Sequence, residues 1–165
     1  MILRDYTQLS DVRKKHLHEK ISFCSGTFDL THAGHVLFFE DCKNYSNILV
    51  VAVGSDAIVS RYKGKNRPIM NEHVRLKMID SLKPVNYCLI NKYSDTPEDP
   101  LASLTPILSL LRPDLYVVNE DAINLPQRRR MVSSLGIELL VLPRTCPPEF
   151  DKISTTKLID KIRQD

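Results

Sequence analysis

Residues 21–35 have the sequence ISFCSGTFDLTHAGH, and this stretch decides the fold of the chain. It begins with a short apolar run typical of a strand, turns at Gly26, and continues into a segment with helical periodicity. A helix that starts directly after a strand and a glycine turn presents unpaired backbone N–H groups, which commonly bind phosphate. His32 and His35 share one face of the first helical turn, so both imidazoles can face the same anion. The stretch therefore predicts a phosphate site at the beginning of a helix.

Two histidines at this spacing can also be surface residues or a zinc-binding pair, and the surrounding sequence disfavours both. Most such pairs are simply exposed on a helix, and a zinc pair needs further ligands at suitable spacing. No cysteine or third histidine stands nearby at a ligand-like spacing. Gly34, between the two histidines, keeps the surface low and lets a bulky ligand approach the backbone.

Five short apolar runs predict the strands of one sheet. They are rich in valine, isoleucine and leucine without polar alternation, as in strands buried on both faces. The runs cover residues 21–24, 48–53, 85–90, 115–118 and 137–142. Helices are predicted at residues 6–19, 33–44, 101–111 and 125–135, the last ending before Gly136, and another runs from the N-cap Asn71 to about residue 82. This alternation predicts an α/β fold, a single Rossmann-like, doubly wound domain over residues 1–165 with a five-stranded parallel sheet. Residues 1–20 form an N-terminal helical extension in which His16 and His18 are expected to face solvent.

Composition narrows the class of protein without identifying it. The 165 residues are 42% hydrophobic and 26% charged, as in ordinary soluble globular proteins. A net charge of +3 is too small to indicate nucleic acid, and no apolar run is long enough to span a membrane. The four cysteines are scattered and the N-terminus lacks a secretory signal, so we expect reduced thiols and a cytoplasmic location.

A second candidate site is the sequence DKISTTK at residues 151–157, which opens a final predicted helix. Ser154, Thr155 and Thr156 can cap the unpaired N–H groups and donate hydroxyls to phosphate oxygens. Lys157 adds a mobile positive charge. Taken alone, the stretch is better interpreted as an ordinary capped helix.

Between these two sites lies a basic stretch, KGKNRPI at residues 63–69, followed by Arg75. Lys63 and Arg67 on a flexible loop after the second strand could close over a triphosphate. A solvated basic loop is the alternative for a bare cluster of this kind. Arginines 128–130 are expected to face solvent on a helix.

The motif Gly-Thr-Phe-Asp-Leu-x-His-x-Gly-His at residues 26–35 resembles the signature of the HxGH nucleotidyltransferase superfamily, and its cytidylyltransferase-like branch most closely. Residues 153–157 are similar to the second signature of that superfamily, in the same order along the chain. Residues 63–69 resemble a loop of the heptose-phosphate nucleotidyltransferases, the ADP-heptose branch. Residues 142–145, Leu-Pro-Arg-Thr, are similar to glycerol-3-phosphate cytidylyltransferases. The resemblance extends from about Leu3 to Ile162.

The resemblance implies an enzyme that transfers CMP or AMP from CTP or ATP to a small sugar or polyol phosphate and releases pyrophosphate. Its implied partners are the nucleoside triphosphate, the phosphorylated acceptor and a second copy in a homodimer. The implied cofactor is Mg²⁺, carried by phosphate oxygens rather than by the protein, with Asp29 as a possible ligand. The implied catalytic residues are His32, His35 and Lys63. Nucleotide binding further involves Gly26, Thr27, Phe28, Gly34, Arg75, Asn119, Ser154, Thr155 and Thr156, and acceptor binding involves Asp29, Asp56 and Arg67.

Two departures from the family pattern leave the substrates open. Residues 119–122, Asn-Glu-Asp-Ala, replace a glycine-rich turn after the fourth strand, and residues 146–150 form an insertion. An adenylyltransferase that makes ADP-heptose, or a flavin- or pantetheine-type dinucleotide, is therefore an alternative. A nucleotide-binding module without turnover is less favoured, because both motifs are intact.

Overall fold

The computed structural model describes residues 1–92, 99, 101–151 and 153–164. Within these residues a five-stranded parallel sheet carries helices on both faces, so the predicted doubly wound α/β fold is confirmed. The strands are β1 (Ile21–Gly26), β2 (Ile48–Gly54), β3 (Tyr87–Asn91), β4 (Leu115–Asn119) and β5 (Glu138–Leu142). The helices are α1 (Thr7–Lys15), α2 (Ala33–Asn44), α3 (Asp56–Lys63), α4 (Glu72–Asp80), α5 (Thr105–Leu111), α6 (Leu125–Ser134) and α7 (Thr155–Ile162), and a 3₁₀ turn (Ala102–Leu104) precedes α5.

The order of the strands places a ligand crevice between β1 and β4. The sheet runs β3-β2-β1-β4-β5, so the chain first builds outward from β1 and then returns to its other side. Connections that leave neighbouring parallel strands in opposite directions open a crevice at their carboxyl ends. The loop of residues 27–32 follows β1 and therefore lies at this crevice.

The core consists of two apolar layers, one on each face of the sheet. Alternate strand residues face opposite layers: Phe23 belongs to one and Cys24 to the other. The first layer is completed by buried residues of α1, α5 and α6, such as Leu108. The second is completed by α2 and α4, whose Phe39 and Ile79 are fully buried. Helix α2, which begins at the histidine motif, is thereby packed against the sheet.

Two local predictions need correction. Helix α1 ends at Lys15 rather than at residue 19, and His16 is buried instead of facing solvent, whereas His18 is exposed. The His16 ring contacts the Tyr87 hydroxyl at 2.8 Å (Nε2) and the Glu19 carboxylate at 2.7 Å (Nδ1). These partners make burial of a polar ring tolerable, and Tyr87 is too distant in sequence to be anticipated.

The basic stretch after β2 also differs from prediction. Residues 56–63 form α3 with Ser55 as its N-cap, so the basic loop predicted to begin at Lys63 begins at Gly64. The Ser55 hydroxyl accepts a hydrogen bond from the Ile58 N–H at 3.3 Å. Lys63 is therefore the last residue of a helix. Among the described residues, none of the helices has the length and apolar character needed to cross a bilayer.

Helix α6 ends as its sequence predicts. Gly136 has a φ of 70°, and its N–H donates to Ser133 O at 3.2 Å while the Ile137 N–H donates to Val132 O at 2.9 Å. This pair of bonds is a Schellman motif, which satisfies carbonyls that the helix end leaves unpaired.

We predict that Gly136→Ala lowers the free energy of unfolding by about 1–2 kcal/mol, because an L side chain disfavours left-handed backbone. A Cβ at this position meets no atom within 4 Å, so the cost comes from the backbone alone. Urea unfolding measures the effect, with the exposed neighbour Ser133→Ala as a matched control expected to stay within about 0.5 kcal/mol of wild type. Equal stability of Gly136→Ala and the wild type would contradict the motif.

Candidate active site

The loop that follows β1 has an unusual backbone. Phe28 and Leu30, neither of them glycine, have φ values of 51° and 47°. Such residues cost about 1–3 kcal/mol each and persist only where the surroundings fix them, commonly at functional sites. Gly26 precedes them because a Cβ there would lie 2.8 Å from the Phe28 ring.

The buried side chain of Asp29 holds this loop in place through hydrogen bonds. Its side chain is fully buried. One carboxylate oxygen accepts hydrogen bonds from Arg67 Nε at 3.0 Å and the Ile69 N–H at 2.8 Å, and the other accepts from the Met70 N–H at 3.0 Å. Burial by itself would raise the pKa of Asp29, but the two amides and the Arg67 charge outweigh it and hold that pKa below its usual value.

The buried Asp29 carboxylate also forms an ion pair with Arg67 at 2.9 Å. The sequence predicted that both residues contact the acceptor and that Asp29 could bind Mg²⁺; the structure places them in contact with each other, and those roles stay predictions. Among the described residues, no group of three or more His, Cys, Asp or Glu side chains is arranged to hold a metal ion.

Arg75, which the sequence predicted to contact the nucleotide, lies in the interior of the protein in this structure. It is completely buried, and its guanidinium donates to Met70 O at 2.9 Å, Thr27 O at 2.7 Å and the Asp56 carboxylate at 2.6 Å. Asp56, predicted to bind the acceptor, is therefore the partner of Arg75. Through Arg75, this pair holds the backbone carbonyls of Thr27 and Met70 in place from the interior of the protein.

The two histidines are stacked at the beginning of α2. His32 is the N-cap residue, and its ring centroid lies 3.9 Å from that of His35. The backbone N–H of His32 donates to Nδ1 of the His35 ring at 3.3 Å. Because Nδ1 accepts this bond, the neutral His35 ring carries its hydrogen on Nε2. Gly34 permits this packing, since a Cβ there would lie 3.1 Å from the His32 ring.

Positive charge surrounds these rings. Burial, followed by repulsion from His32, Lys63 and Arg144, lowers the pKa of His35 to about 3. Burial and then Arg144 lower the pKa of His32, and desolvation and then Arg67 lower that of Lys63. Both imidazoles are therefore neutral at pH 7, in a cationic environment that an anion would stabilise.

The second motif lies against the first. Ser154 caps α7 by accepting from the Lys157 N–H at 3.3 Å, and the Thr155 hydroxyl donates to the backbone carbonyl of Asp29 at 2.8 Å. The Ile153 carbonyl lies 3.7 Å from the position of a Cβ on Gly34. The beginnings of α2 and α7 are therefore adjacent, with Thr156 exposed in the first turn of α7.

Asn119 lies on the other side of the crevice, at the end of β4. The loop after it is joined to the end of β5, because Glu120 N–H donates to Leu142 O at 2.9 Å and Arg144 forms an ion pair with Asp121. Arg144 was not among the predicted site residues, although its charge lowers the pKa of both histidines. The Leu-Pro-Arg-Thr resemblance was the only sequence signal that could have identified it.

A groove of about 850 Å³ lies elsewhere, along the outer edge of β3. It is lined by the first six residues, by α4 residues such as His73 and Leu76, and by Ile90 and Lys92. None of the predicted site residues lines it, so this groove is separate from the histidine site.

The fold and this site define a nucleotide-binding α/β protein: two helix beginnings and a neutral histidine pair in a cationic environment meet at the switch point of a doubly wound sheet. The chain belongs to the cytidylyltransferase-like family of nucleotidyltransferases, whose model matches residues 23–161. This confirms the family predicted from the sequence.

Curated relatives are longer than this chain. It is 33% identical over 147 residues to the bifunctional protein HldE of Alcanivorax borkumensis, covering 88% of this chain and 28% of that protein. It is 36% identical over 151 residues to HldE of Helicobacter pylori strain G27, covering 91% of this chain and 29% of that protein. The chain therefore spans less than a third of the length of these relatives.

Solved structures show the same fold. A lipopolysaccharide core biosynthesis protein from Thermoplasma volcanium superposes with a TM-score of 0.61 at 24% identity, over 77% of this chain and 97% of that one. Pantoate-beta-alanine ligase from Francisella tularensis superposes with a TM-score of 0.65 at 14% identity, over 100% of this chain and 78% of that one. At these identities the likeness concerns the fold alone.

The low pKa of His35 predicts a loss of stability in mild acid. Unfolded histidine has a pKa of 6.5 and folded His35 of about 3, so between these values only the unfolded state binds the proton. Lowering the pH from 7 to 5 is expected to remove up to about 2 kcal/mol of unfolding free energy through this residue. Urea unfolding at both pH values measures the loss.

His35→Asn tests this assignment, because asparagine keeps an acceptor near the Nδ1 position but does not titrate. The variant should lose less stability between pH 7 and 5 than the wild type, whereas the exposed His18→Asn should behave like the wild type. Equal pH dependence in wild type and His35→Asn would refute the prediction.

Proposed function

We propose that the chain transfers CMP or AMP from CTP or ATP to the phosphate of a small sugar or polyol phosphate, with release of pyrophosphate. The observation that carries the proposal is the hydrogen bond between the Thr155 hydroxyl and the Asp29 carbonyl, at 2.8 Å. This bond holds two helix beginnings side by side next to His32 and His35, where a single polyphosphate chain can contact all of them.

The chemistry requires little of the protein beyond positioning and charge. An oxygen of the acceptor phosphate attacks the α-phosphorus and forms the new P–O bond, while the bond to the bridging oxygen breaks and pyrophosphate leaves with its electron pair. Because the acceptor phosphate is already ionised, no general base is needed. The barrier is lowered by in-line alignment and by donors directed at the developing charge.

The residues have distinct parts in this scheme. His32 and His35 donate N–H groups to the α-phosphate and the leaving oxygen. Lys63 and the Ser154–Thr156 turn, with Lys157, bind the β- and γ-phosphates. Mg²⁺ is expected to enter on the phosphate oxygens of the triphosphate and to neutralise part of their charge, since Asp29 is already engaged.

Two features bear on the substrates. Similarity to the HldE proteins, together with the resemblance of residues 63–69 to heptose-phosphate nucleotidyltransferases, favours AMP transfer to a heptose phosphate as the second candidate. The family match and the Leu-Pro-Arg-Thr element favour CTP. A homodimer stays a prediction.

We predict that His32→Asn and His35→Asn each lower kcat by about 10²–10³-fold, since each removes one preorganised donor to the transition state. A pyrophosphate-release assay with CTP and ATP, against a panel of sugar and polyol phosphates, identifies the active pair and measures the loss. His18→Asn is the matched control and should retain wild-type turnover.

The assay also separates the alternatives. Turnover with ATP and a heptose phosphate alone would select the second candidate, and turnover only with flavin mononucleotide or phosphopantetheine would refute both. Nucleotide binding without pyrophosphate release for any acceptor would make the chain a binding module.

A further prediction concerns protons. Because a bound triphosphate supplies the missing negative charge, it should raise the pKa of His35 from about 3, so binding at pH 6 should take up protons. Calorimetry with a non-hydrolysable triphosphate, in two buffers of different ionisation enthalpy, measures this uptake. His35→Asn should reduce it; undiminished uptake in that variant would place the titrating group elsewhere.

A further inference from the structure

Three consecutive arginines lie in α6, and one of them behaves differently from its neighbours. Arg129 and Arg130 are exposed, as the sequence predicts for the whole run. Arg128 is partly buried, and its guanidinium lies over the ring of Tyr116, 5.6 Å from the ring centroid. The prediction that Arg128 faces solvent is therefore wrong.

Arg128 connects three parts of the crevice. Its Nε donates to the carbonyl of Ile123 at 2.9 Å, and its Nη1 donates to the hydroxyl of Tyr116. That hydroxyl in turn contacts Ser25 Oγ at 2.9 Å. Tyr116 is fully buried in β4, and Ser25 lies in β1 directly before the glycine that begins the histidine loop.

The residue that Arg128 contacts through Nε belongs to the loop between β4 and α6. This loop, residues 120–124, contains no glycine, and Asn124 has a left-handed φ of 59°. The outer part of the loop is bonded to β5 and its end through Glu120 and Asp121. Arg128 connects the far end of the loop, at the backbone carbonyl of Ile123, to Tyr116 of the sheet.

The nucleoside half of a bound triphosphate is expected beside this loop. On the proposed function the polyphosphate would lie at the starts of α2 and α7, and the β2 side of the crevice is occupied by residues 67–70, three of which are bonded to Asp29. The nucleoside therefore extends toward β4, at the switch point of the sheet.

Resting on the proposed function, we propose that Arg128 is a positioning residue that determines nucleotide selectivity. Through Ile123 and the Tyr116–Ser25 pair it sets the distance between the 120–124 loop and the nucleoside, and so the choice between a pyrimidine and a purine triphosphate. Arginine suits this task because its rigid planar fork holds two partners at once, which a lysine ammonium cannot do in the same geometry.

The test compares Arg128→Met and Arg128→Lys with the exposed neighbour Arg129→Met, which removes the same charge. The measured quantity is the ratio of kcat/KM for CTP to that for ATP. Arg128→Met is expected to change this ratio by about tenfold to a hundredfold, mainly through KM, because displacement of a positioning loop is costly while the histidines remain in place. Arg128→Lys should not restore it, and Arg129→Met should leave it unchanged.

Tyr116→Phe is the second variant, since it removes only the hydroxyl between Arg128 and Ser25. It should change the ratio in the same direction by a smaller factor, and it keeps the proposal testable if Arg128→Met fails to fold. An equal loss for both nucleotides in the folded Arg128 and Tyr116 variants would overturn the proposal, as would full rescue by lysine.

Failure of the proposed function gives a different result. If the wild type binds nucleotides but does not turn them over, the ratio of the Kd values for CTP and ATP, measured by calorimetry, replaces kcat/KM as the readout. An Arg128-dependent change in that ratio would support the assignment even then. Absence of binding to either nucleotide would overturn both proposals.

Discussion

The buried carboxylate of Asp29 is the interaction on which the candidate site depends. A buried charge is tolerated only when hydrogen bonds and an opposite charge replace its contacts with water. At Asp29 two backbone amides and Arg67 do so. The backbone carbonyl of the same residue accepts the Thr155 hydroxyl. Three segments far apart in sequence are thus held at one residue, and the geometry for binding a polyphosphate follows from that contact.

The electrostatics of the site are unfavourable until an anion is present. Burial and the charge of Arg144 lower the pKa values of both stacked imidazoles, Lys63 further lowers that of His35, and the nearby Asp29 carboxylate is already paired with Arg67. Left-handed backbone at Phe28 adds strain in the same loop. A bound anion would relieve this repulsion and so recover on binding part of the free energy spent in building the site.

Sequence reasoning succeeded where the signal is local and failed where partners are distant. The five strands follow from apolar runs, and caps such as Asn71 and Gly136 follow from residue chemistry at a helix end. By contrast, the buried positions of His16 and Arg75 depend on partners in other elements. A charged side chain in a motif suggests ligand binding. Several here form ion pairs with one another instead, such as Asp29 with Arg67, and the sequence alone does not show which of the two a side chain does.

The same division separates the two halves of the proposed site, the part expected to bind phosphate and the part expected to bind the nucleoside. Phosphate is bound by helix beginnings and small polar residues, whose sequence pattern is short and local. The loop after β4 has side chains where the family pattern has glycine, so its position depends on long-range contacts from β5, Arg144 and Arg128. Because those contacts differ from anything the motif encodes, the chemistry of transfer can be inferred from the motif while the choice of base cannot.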